Sequence, residues 1–449
     1  MALVTKAIKG TLDTLPKDSY KIQYVEAAMR EIAENFGFYE MRTPVIEHTE
    51  LFNRSVGETT DVVQKEMYTF TDKGGRSITL RPEGTAGAVR AFLENGLFND
   101  PLPQTLYYLT SCYRYEKPQA GRLREFHHFG VETFGAEAPA QDAEIISLAS
   151  QIFDYLGIQN LTLEINSIGC KTCRQDFQNA LKQYFEDKKA DLCETCLSRL
   201  DRNPMRILDC KSPVCQDICK DAPKILDYLC PDCRAHFESV KQYLDALEIP
   251  YKVNPEIVRG LDYYTRTVFE FVSHDIGAQG TVCGGGRYDG LIEELGGKPT
   301  AACGFGMGME RLLLLMDAQK TPFPERRPLD IFIGSMGEKE NILAAKLCAD
   351  LRNEGMSASF DTFGRSMKAQ MKYANKLSAS YTMVLGESEL ENKKAEVKNM
   401  QSGEKTEVSL ENFTEDFQNL MLREAMQNLD IAEDGDGMNM DALHSLLGK

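Results

Sequence analysis

The chain has 449 residues, of which 42% are hydrophobic and 27% charged, with a formal net charge of −17. This length allows two or three domains, each with its own core. The negative charge argues against binding nucleic acid through a global positive field, although a few placed Lys or Arg side chains can still reach phosphates. No apolar run approaches the roughly 18–20 residues that cross a bilayer, so we expect no membrane association.

The amino-terminal segment and the cysteines indicate a compartment. Residues 1–10 lack the apolar stretch and cleavage site of a signal peptide. An odd number of cysteines, thirteen, in a long chain favours reduced thiols, with or without a metal, over a disulfide framework. Both features predict a cytoplasmic protein.

The first predicted elements are a helix followed by strands. Residues 19–38 carry apolar side chains at helical spacing and predict an amphipathic helix. Residues 40–47 predict a strand, in which Pro44 suits a sheet edge or a subunit border. Short β-type runs over 67–81 and 105–116 predict antiparallel hairpins.

The middle of the chain changes character twice. Residues of about 166–235 form a mostly helical block that holds most of the cysteines. Strand patterns return at 268–272 and 281–283, and 304–308 leads into an apolar helix that runs to Met316. These elements predict a domain with an antiparallel sheet and a helical, cysteine-rich insertion.

The carboxy-terminal part has a different order of predicted elements. Residues 321–328 are proline-rich and charged and predict a linker. Beyond it, strands and helices alternate up to residue 409, which predicts a small α/β domain with a mixed sheet. From Leu410 the chain holds nine acids and two bases, which predicts a helix and then an exposed acidic tail. We place the three parts at 1–325, 326–424 and 425–449.

Two arginine segments indicate how a nucleotide would bind. The sequence contains no G-x-x-x-x-G-K-[ST] loop and no G-x-G-x-x-G at the head of a βαβ unit. Arg114 ends a predicted strand, where it can hold a phosphate bidentately, or else form an ordinary surface ion pair with Glu116. Glycines at 304, 306 and 308 leave a strand face bare for a flat ligand, with Arg311 near its phosphates, or else permit close helix–strand packing.

Together these segments resemble the three motifs of class II aminoacyl-tRNA synthetases, in their order and separation. The helix and the strand with Pro44 are similar to motif 1, the strand–loop–strand with Arg114 and Phe126 to motif 2, and Gly-x-Gly-x-Gly-x-Glu-Arg311 to motif 3. The resemblance implies an α+β fold. It consists of a catalytic domain on an antiparallel sheet with the helical cysteine-rich insertion, followed by an α/β anticodon-binding domain.

Two further strings resemble the histidine signatures of the histidyl-tRNA synthetases of the bacterial type. They are Leu80-Arg-Pro-Glu-Gly-Thr85 and Val258-Arg-Gly-Leu-Asp-Tyr-Tyr-Thr-Arg-Thr-Val-Phe-Glu270. The likeness spans roughly residues 8–424. It implies a ligase that activates L-histidine with ATP, releases pyrophosphate and transfers the amino acid to the 3′ end of tRNA(His).

The resemblance implies roles for individual residues. Those expected to bind histidine are Glu83, Gly84, Thr85, Arg114, His128, Glu132, Arg259, Tyr263 and Tyr264. Those expected to bind ATP are Arg114, Glu116, Arg122, Phe126, Gly306, Gly308 and Arg311. The three arginines expected to act in catalysis are Arg114, Arg259 and Arg311. Gln119 and Arg124 are expected near the acceptor end of the tRNA.

The same resemblance implies the partners and one departure. Mg²⁺ should accompany the β- and γ-phosphates, and the motif 1-like segment implies a homodimer. His128 stands where the family usually has glutamine, and a neutral imidazole replaces one amide hydrogen bond but not both. Bases of the carboxy-terminal domain, such as Arg352 and Arg365, are either tRNA phosphate contacts or ordinary solvated surface.

The cysteine pattern suggests a metal. Cys170-x-x-Cys173 and Cys193-x-x-Cys196 have the spacing of a structural Cys₄ zinc site, and further cysteines follow up to Cys233. The alternative is a helical insertion with reduced thiols and no metal.

Two other functions share some of these features. One is the synthetase-like regulatory subunit of ATP phosphoribosyltransferase, a non-catalytic protein that commonly lacks the anticodon domain and has degraded histidine strings. The other is a zinc-dependent RNA-binding module with a relict catalytic domain. Here the string 258–270 is intact and the last domain is present, which favours the ligase.

Overall fold

A computed structural model describes residues 5–56, 60, 62–208, 210, 212–257, 259, 261, 263–277 and 280–433. The chain separates into two compact units, Met1–Pro324 and Glu325–Lys449, called unit 1 and unit 2. Val258, Gly260 and Asp262 of the second histidine-type string lie outside the described residues. So does the part of the expected acidic tail at 434–449.

Unit 1 contains two sheets. Its described strands, in chain order, are β1 (Tyr39–Glu40), β2 (Ile46–His48), β3 (Tyr68–Thr71), β4 (Ser77–Leu80), β5 (Gln104–Tyr113), β6 (Glu125–Phe134), β7 (Leu161–Ser167), β8 (Tyr251–Val253), β9 (Thr265–Ser273), β10 (Thr281–Arg287) and β11 (Ala302–Gly308). The large sheet has the order β1-β5-β6-β11-β10-β9-β7-β8, and the small one β2-β4-β3. The large sheet is antiparallel except at its two outer pairs.

Helices pack on both faces of the large sheet. The helices described in unit 1 are α1 (Pro16–Asn35), α2 (Thr49–Val56), α3 (Thr85–Glu94), α4 (Pro139–Tyr155), α5 (Lys171–Glu186), α6 (Glu194–Arg202), α7 (Pro213–Cys219), α8 (Pro231–Ala246), α9 (Leu291–Glu294) and α10 (Met309–Gln319). On one face α1 and α4 bury Val25, Met29, Ile146 and Ile152 in one core with the sheet. On the other, α3 and α9 share a second core with the helices of the insertion.

The predicted first helix and strand are displaced or divided in the structure. The helix begins at Pro16, which suits the first turn because proline needs no amide donor there. The strand expected over 40–47 is wrong as a single element, since Glu40 belongs to the large sheet and Ile46 to the small one. Pro44 lies in the break, and its carbonyl accepts a hydrogen bond of 3.3 Å from buried Arg81.

Unit 2 is a small α/β domain. Its described elements are β12 (Ile331–Ser335), α11 (Glu338–Asn353), β13 (Ala358–Phe360), α12 (Met367–Lys376), β14 (Tyr381–Leu385), α13 (Glu387–Asn392), β15 (Lys394–Asn399), β16 (Lys405–Ser409) and α14 (Phe413–Glu433). The sheet order is β13-β12-β14-β15-β16, with the first three strands parallel and the last two antiparallel. This confirms the predicted mixed sheet. The last helix continues past 425, where we placed the start of the tail.

Helix length and hydropathy also bear on the membrane question. Among the described residues, no helix is both long and apolar enough to span a bilayer.

Candidate active site

Most of the residues singled out in the sequence line one cavity of unit 1, with a volume of about 210 Å³. The predicted residues that line it are Glu83, Thr85, Arg114, Glu116, Arg122, Phe126, His128, Glu132, Arg259, Tyr263, Tyr264, Gly306, Gly308 and Arg311. Gly84, Gln119 and Arg124 are not among the lining residues. Segments far apart in sequence therefore converge at one place.

Strand periodicity explains how β6 contributes to the cavity. Alternate side chains of a strand point to opposite faces. Phe129 and Val131 are buried in the core with α1 and α4, whereas Phe126, His128 and Glu132 face the cavity. A single strand thus supplies three of the expected ligand contacts.

The glycines of β11 make room for those side chains. Gly304 pairs with Glu132 in register, and a Cβ there would lie 2.1 Å from the Glu132 carboxylate. A Cβ on Gly306 would lie 2.2 Å from Nε2 of His128. We expected a bare strand face for a flat ligand, but at these two glycines protein side chains occupy that face. At Gly308 a Cβ would meet nothing within 4 Å, so there the space is open.

One side of the cavity, called the tyrosine side, is formed by Tyr263, Tyr264 and Tyr288 beside the buried carboxyl of Glu132, and Tyr108 bonds that carboxyl without lining the cavity itself. That carboxyl accepts hydrogen bonds from Thr85 Oγ1 at 2.7 Å, from the Tyr108 hydroxyl at 2.9 Å and from the Tyr288 hydroxyl. Burial raises the pKa of Glu132 to about 8, although the three hydrogen bonds oppose the shift. The carboxyl is therefore largely protonated at neutral pH.

Sequence reasoning missed Tyr108 and Tyr288. A signal for Tyr108 was present in Gly130, which lies opposite it in register, because a Cβ there would stand 2.3 Å from the Tyr108 ring. Tyr288 follows Arg287, whose fully buried guanidinium donates to Asp142 at 2.7 Å. That buried ion pair fixes the chain where Tyr288 enters the cavity.

Glu83 and Gly84 have structural partners already. The buried Glu83 carboxyl accepts hydrogen bonds from the backbone N–H groups of Thr85 at 2.7 Å and Ala86 at 2.8 Å, which caps the first turn of α3. Burial raises its pKa above the ordinary value, while these bonds lower it. Gly84 lies under Tyr108, where a Cβ would come within 2.3 Å of the ring.

Arg259 lies beside the tyrosine side. Its guanidinium is paired with Glu270, which also accepts a hydrogen bond of 2.8 Å from Thr281, and lies 5.6 Å from the Tyr264 ring centroid. A Cβ on Gly284 would come within 2.4 Å of that guanidinium. Arg259 has a φ of +52°, a conformation that costs a non-glycine residue free energy and is often found at functional sites.

The other side of the cavity, called the arginine side, is formed by Arg114, Arg122 and Arg311. Arg114 donates to the Pro82 carbonyl at 2.8 Å and lies 5.4 Å from the Phe126 ring centroid. Arg311 donates to the Thr281 carbonyl at 2.8 Å. Burial and the neighbouring cations Arg122 and Arg114 lower the pKa of Arg311. Three guanidinium groups are thus gathered against their mutual repulsion.

Glu116 and the loop beside it complete this side. The Glu116 carboxylate lies 2.8 Å from Nε of Arg122 and 3.9 Å from Arg114. Gln119 and Arg122 exchange two backbone hydrogen bonds of 3.0 Å, which close the loop. Gln119 is exposed, and Arg124 stacks on Tyr115 with 3.9 Å between the guanidinium carbon and the ring centroid.

His128 is held neutral between the two sides. Its burial and the nearby Arg114 and Arg311 lower its pKa to about 3. Nδ1 of His128 is buried and has no hydrogen-bond partner among the described residues. The adjacent His127 instead bonds Glu310 at 2.8 Å, which ties β6 to the start of α10.

The expected zinc ligand set is wrong. The structure divides the four predicted cysteines between two groups, cluster 1 (Cys170, Cys173, Cys230 and Cys233) and cluster 2 (Cys193, Cys196, Cys210 and Cys215). The first Cys-x-x-Cys meets the one at the start of α8 rather than its nearest neighbour in sequence. Tertiary packing of the insertion, not sequence distance, decides the pairing.

In unit 2, the two arginines considered as tRNA contacts have internal partners. Arg365 is paired with Asp361 at 2.6 Å, and Arg352 donates to the Ala358 carbonyl at 2.7 Å. The first bond lies just after β13, and the second joins the end of α11 to the start of β13.

Comparison with known families matches both units. A family model described as "Histidyl-tRNA synthetase" matches residues 10–312. A second, described as "Anticodon binding domain", matches residues 330–420.

Individual proteins agree with the family models. The chain is 57% identical over 413 residues to a histidine–tRNA ligase of Clostridium novyi, covering 92% of this chain and 98% of the relative. It is 51% identical over 416 residues to that of Clostridioides difficile, covering 92% and 99%.

Solved structures show the same likeness. The crystal structure of apo histidyl-tRNA synthetase from Staphylococcus aureus has a TM-score of 0.80 and 41% identity, covering 92% of this chain and all of that one. A Bacillus halodurans structure titled ATP phosphoribosyltransferase regulatory subunit/histidyl-tRNA synthetase has a TM-score of 0.61 and 22% identity, covering 83% and 97%. At that identity the likeness extends to the fold alone.

Proposed function

The chain belongs to the histidyl-tRNA synthetase family, and from that premise we propose how its cavity residues divide the work of a histidine–tRNA ligase. The ligase uses ATP to activate histidine and joins it to tRNA, as the sequence predicted. The observation that carries the proposal is the meeting, in one cavity, of a buried carboxyl ringed by hydroxyl groups and a set of converging arginines.

The tyrosine side receives the imidazole in this proposal. A carboxyl with a pKa of about 8 accepts a hydrogen bond from a ring N–H when ionised and donates one when protonated, so Glu132 suits either nitrogen. Tyr264 pairs with the other nitrogen, and Glu83 and Thr85 receive the ammonium. Analogues without the ring nitrogens would leave these buried groups without hydrogen-bond partners. The site should therefore favour histidine over such analogues by roughly 10⁴-fold or more.

The arginines stabilise the charge that develops during activation. The histidine carboxylate attacks the α-phosphorus, the bond to the bridging oxygen breaks, and pyrophosphate leaves. Arg259 and Arg114 flank the α-phosphoryl oxygens, while Arg311 and Arg122 hold the outer phosphates. Because these groups are fixed before the reaction, they lower the barrier without reorganising. Phe126 stacks on adenine and Glu116 binds its edge.

Mg²⁺ fits the arginine side. The carboxylate of Glu310 lines the cavity next to Arg311, and carboxylate and phosphate oxygens are the ligands that Mg²⁺ prefers. In this proposal Glu310 would hold the ion, which would supply positive charge at the β- and γ-phosphates.

Amino-acid-dependent exchange of pyrophosphate into ATP tests the substrate assignment. We expect exchange with histidine and background with each of the other amino acids. Exchange with another amino acid, or none at all, would contradict the proposal, and the absence of exchange is what a regulatory subunit would give.

Unit 2 and the motif 2-like loop are assigned to the tRNA. We propose that the domain matched over 330–420 binds the anticodon and that Gln119 and Arg124 act near the acceptor end. Alanine at Gln119 should then slow transfer to tRNA(His) and leave pyrophosphate exchange intact. Equal loss in both assays would remove this residue from the tRNA contacts. A ligase for tRNA is expected in the cytoplasm.

The motif 1-like segment supports a homodimer. Each chain has a mass of 50.5 kDa, so light scattering should give twice this value. A monomer with full exchange activity would contradict the dimer.

A further inference from the structure

The helical insertion contains eight cysteines whose sulfur atoms converge in two places, away from the cavity. In cluster 1 and in cluster 2 the four Sγ atoms all lie within 4.8 Å of one another. All thirteen cysteines of the chain are free thiols. Thiols that only filled a core would have no reason to converge four at a time.

The sulfur spacing fits one metal ion per cluster. Sγ of Cys170 lies 3.6 Å from Sγ of Cys173, and Sγ of Cys193 lies 3.8 Å from Sγ of Cys210. Zn²⁺ bound tetrahedrally by thiolates at about 2.3 Å has its sulfurs about 3.8 Å apart. The geometry therefore leaves room for a single ion and not for a cluster of several.

The backbone around the sulfurs favours thiolates. Cys170, Cys193 and Cys230 are the N-cap residues of α5, α6 and α8, and none of these caps is closed by a side-chain hydrogen bond. Positions at a helix start stabilise negative charge.

Backbone N–H groups also point at sulfur atoms in both clusters. The amide of Cys230 donates to Sγ of Cys173 at 3.1 Å, and that of Ser212 to Sγ of Cys210 at 3.4 Å. Such bonds commonly orient the ligands of a metal from the second layer of contacts.

We propose that the insertion holds two structural zinc ions, one bound by the four thiolates of cluster 1 and one by the four of cluster 2. The ion of cluster 1 joins the starts of α5 and α8, and that of cluster 2 joins the start of α6 to α7. Binding releases the thiol protons, so no oxidation or reduction is involved.

Cluster 1 is also connected to the tyrosine side of the cavity. One turn into α5, Arg174 donates to the Tyr264 carbonyl at 2.9 Å, and the Gly169 carbonyl accepts a bond of 3.0 Å from the Arg266 amide. The ion of cluster 1 therefore positions the segment that carries Tyr264. This part of the inference rests on the proposed function, whereas the metal content does not.

Metal analysis of the purified full-length protein tests the two sites. We expect two equivalents of zinc per chain. While the zinc is bound, eight thiols should resist a thiol-modifying reagent, and they should become reactive when a chelator removes the zinc. Cys170→Ser and Cys193→Ser should each retain one equivalent. Cys219→Ser is the matched control and should retain both, because Cys219 belongs to the same block but bonds the Ile207 carbonyl instead.

The result that overturns the proposal is equally direct. Wild-type protein that remains metal-free after incubation with zinc and a reductant, or that contains iron or disulfides at these positions, has no such sites. This measurement needs no variant and no ligase activity.

A kinetic comparison tests the connection to Tyr264. Cys170→Ser should raise KM for histidine by roughly tenfold, since small displacements at a binding site have large effects, and should leave KM for ATP near its wild-type value. Cys193→Ser should change neither. Equal effects of the two variants on KM for histidine would refute the positioning role and leave the zinc sites standing.

Discussion

The tyrosine side and the arginine side of the cavity are built on different physical principles. On the tyrosine side, Glu132 is surrounded by hydroxyl donors and uncharged rings, and burial moves its pKa to about 8. On the arginine side, Arg114, Arg122 and Arg311 carry like charges, and burial lowers the pKa of Arg311. The first side satisfies its own polar groups, whereas the second holds three cations beside the Glu116 carboxylate and so attracts an anionic ligand.

This difference indicates where each side obtains its selectivity. Groups that already have partners exchange hydrogen bonds with a ligand, so the ligand must match them atom by atom. Clustered cations attract any polyanion. Their stabilising effect is largest where negative charge develops on the substrate during the reaction. The tyrosine side should therefore determine KM for histidine, and the arginine side the rate of activation.

The largest expected effect comes from removing Arg259, which lies where the two sides meet. Arg259→Ala should lower the rate of adenylate formation by roughly 10²–10³, the scale for one fixed donor at a developing charge. Single-turnover formation of the adenylate, with enzyme in excess over ATP, measures this rate. If KM for histidine rose while the rate stayed unchanged, Arg259 would belong to ground-state binding instead.

The next effect is expected at Glu132. Glu132→Gln should raise KM for histidine by roughly 10–100-fold, because the amide nitrogen cannot accept a hydrogen bond and a buried polar group left without its partner costs about 1–3 kcal/mol. KM for ATP should stay near wild type, since Glu132 contacts Thr85, Tyr108 and Tyr288 and not the arginines. Steady-state exchange kinetics with each substrate varied in turn would show whether the effects separate in this way.

A smaller effect should appear in the pH dependence of stability. The pKa of Glu132 is about 8 in the folded protein, against an ordinary value of 4.5. The unfolded chain ionises first as pH rises, so this group's contribution to stability is complete below about 4.5 and lost as pH rises through about 8. The melting temperature of the wild type should therefore fall relative to that of Glu132→Gln as the pH rises from 5 to 8.

Calorimetry of both proteins across that range provides the measurement. Other titrating groups are shared, so they cancel in the difference. Parallel curves would mean that Glu132 is already ionised near its ordinary pKa.

The smallest effect is expected for His128→Gln, which restores the residue usual in the family. Burial and two arginines lower the pKa of His128 to about 3, so the imidazole is neutral and the exchange leaves the local charge unchanged. We expect KM for histidine to change by no more than about tenfold, the scale of one neutral hydrogen bond. A loss of more than 100-fold in kcat would instead assign His128 a direct part in the reaction.

Several site residues could be predicted because they lie in a local sequence pattern that indicates their function. The histidine-type strings and the Gly-x-Gly-x-Gly stretch identified Glu83, Arg259 and Arg311, all of which line the cavity. The sequence predicted that these glycines leave space for a flat ligand. At Gly304 and Gly306, however, neighbouring side chains from β6 occupy that space. The effect of a missing Cβ depends on the strand alongside, which sequence distance does not reveal.

Tyr108 and Tyr288 were missed for a related cause. A tyrosine in an apolar strand is indistinguishable in sequence from a core residue. It becomes part of a site only when register places it beside a buried carboxyl, as β5 and β6 do for Tyr108 and Glu132.

The sequence by itself determined the alternation of core and cavity residues along β6, the mixed sheet of unit 2 and the set of charged groups available for chemistry. These depend on period and residue type, which are local properties. Only the tertiary structure decided which cysteines share a cluster, which hydroxyl groups surround Glu132 and how far its pKa moves. Those outcomes depend on distances between segments and on exclusion of water, and packing sets both.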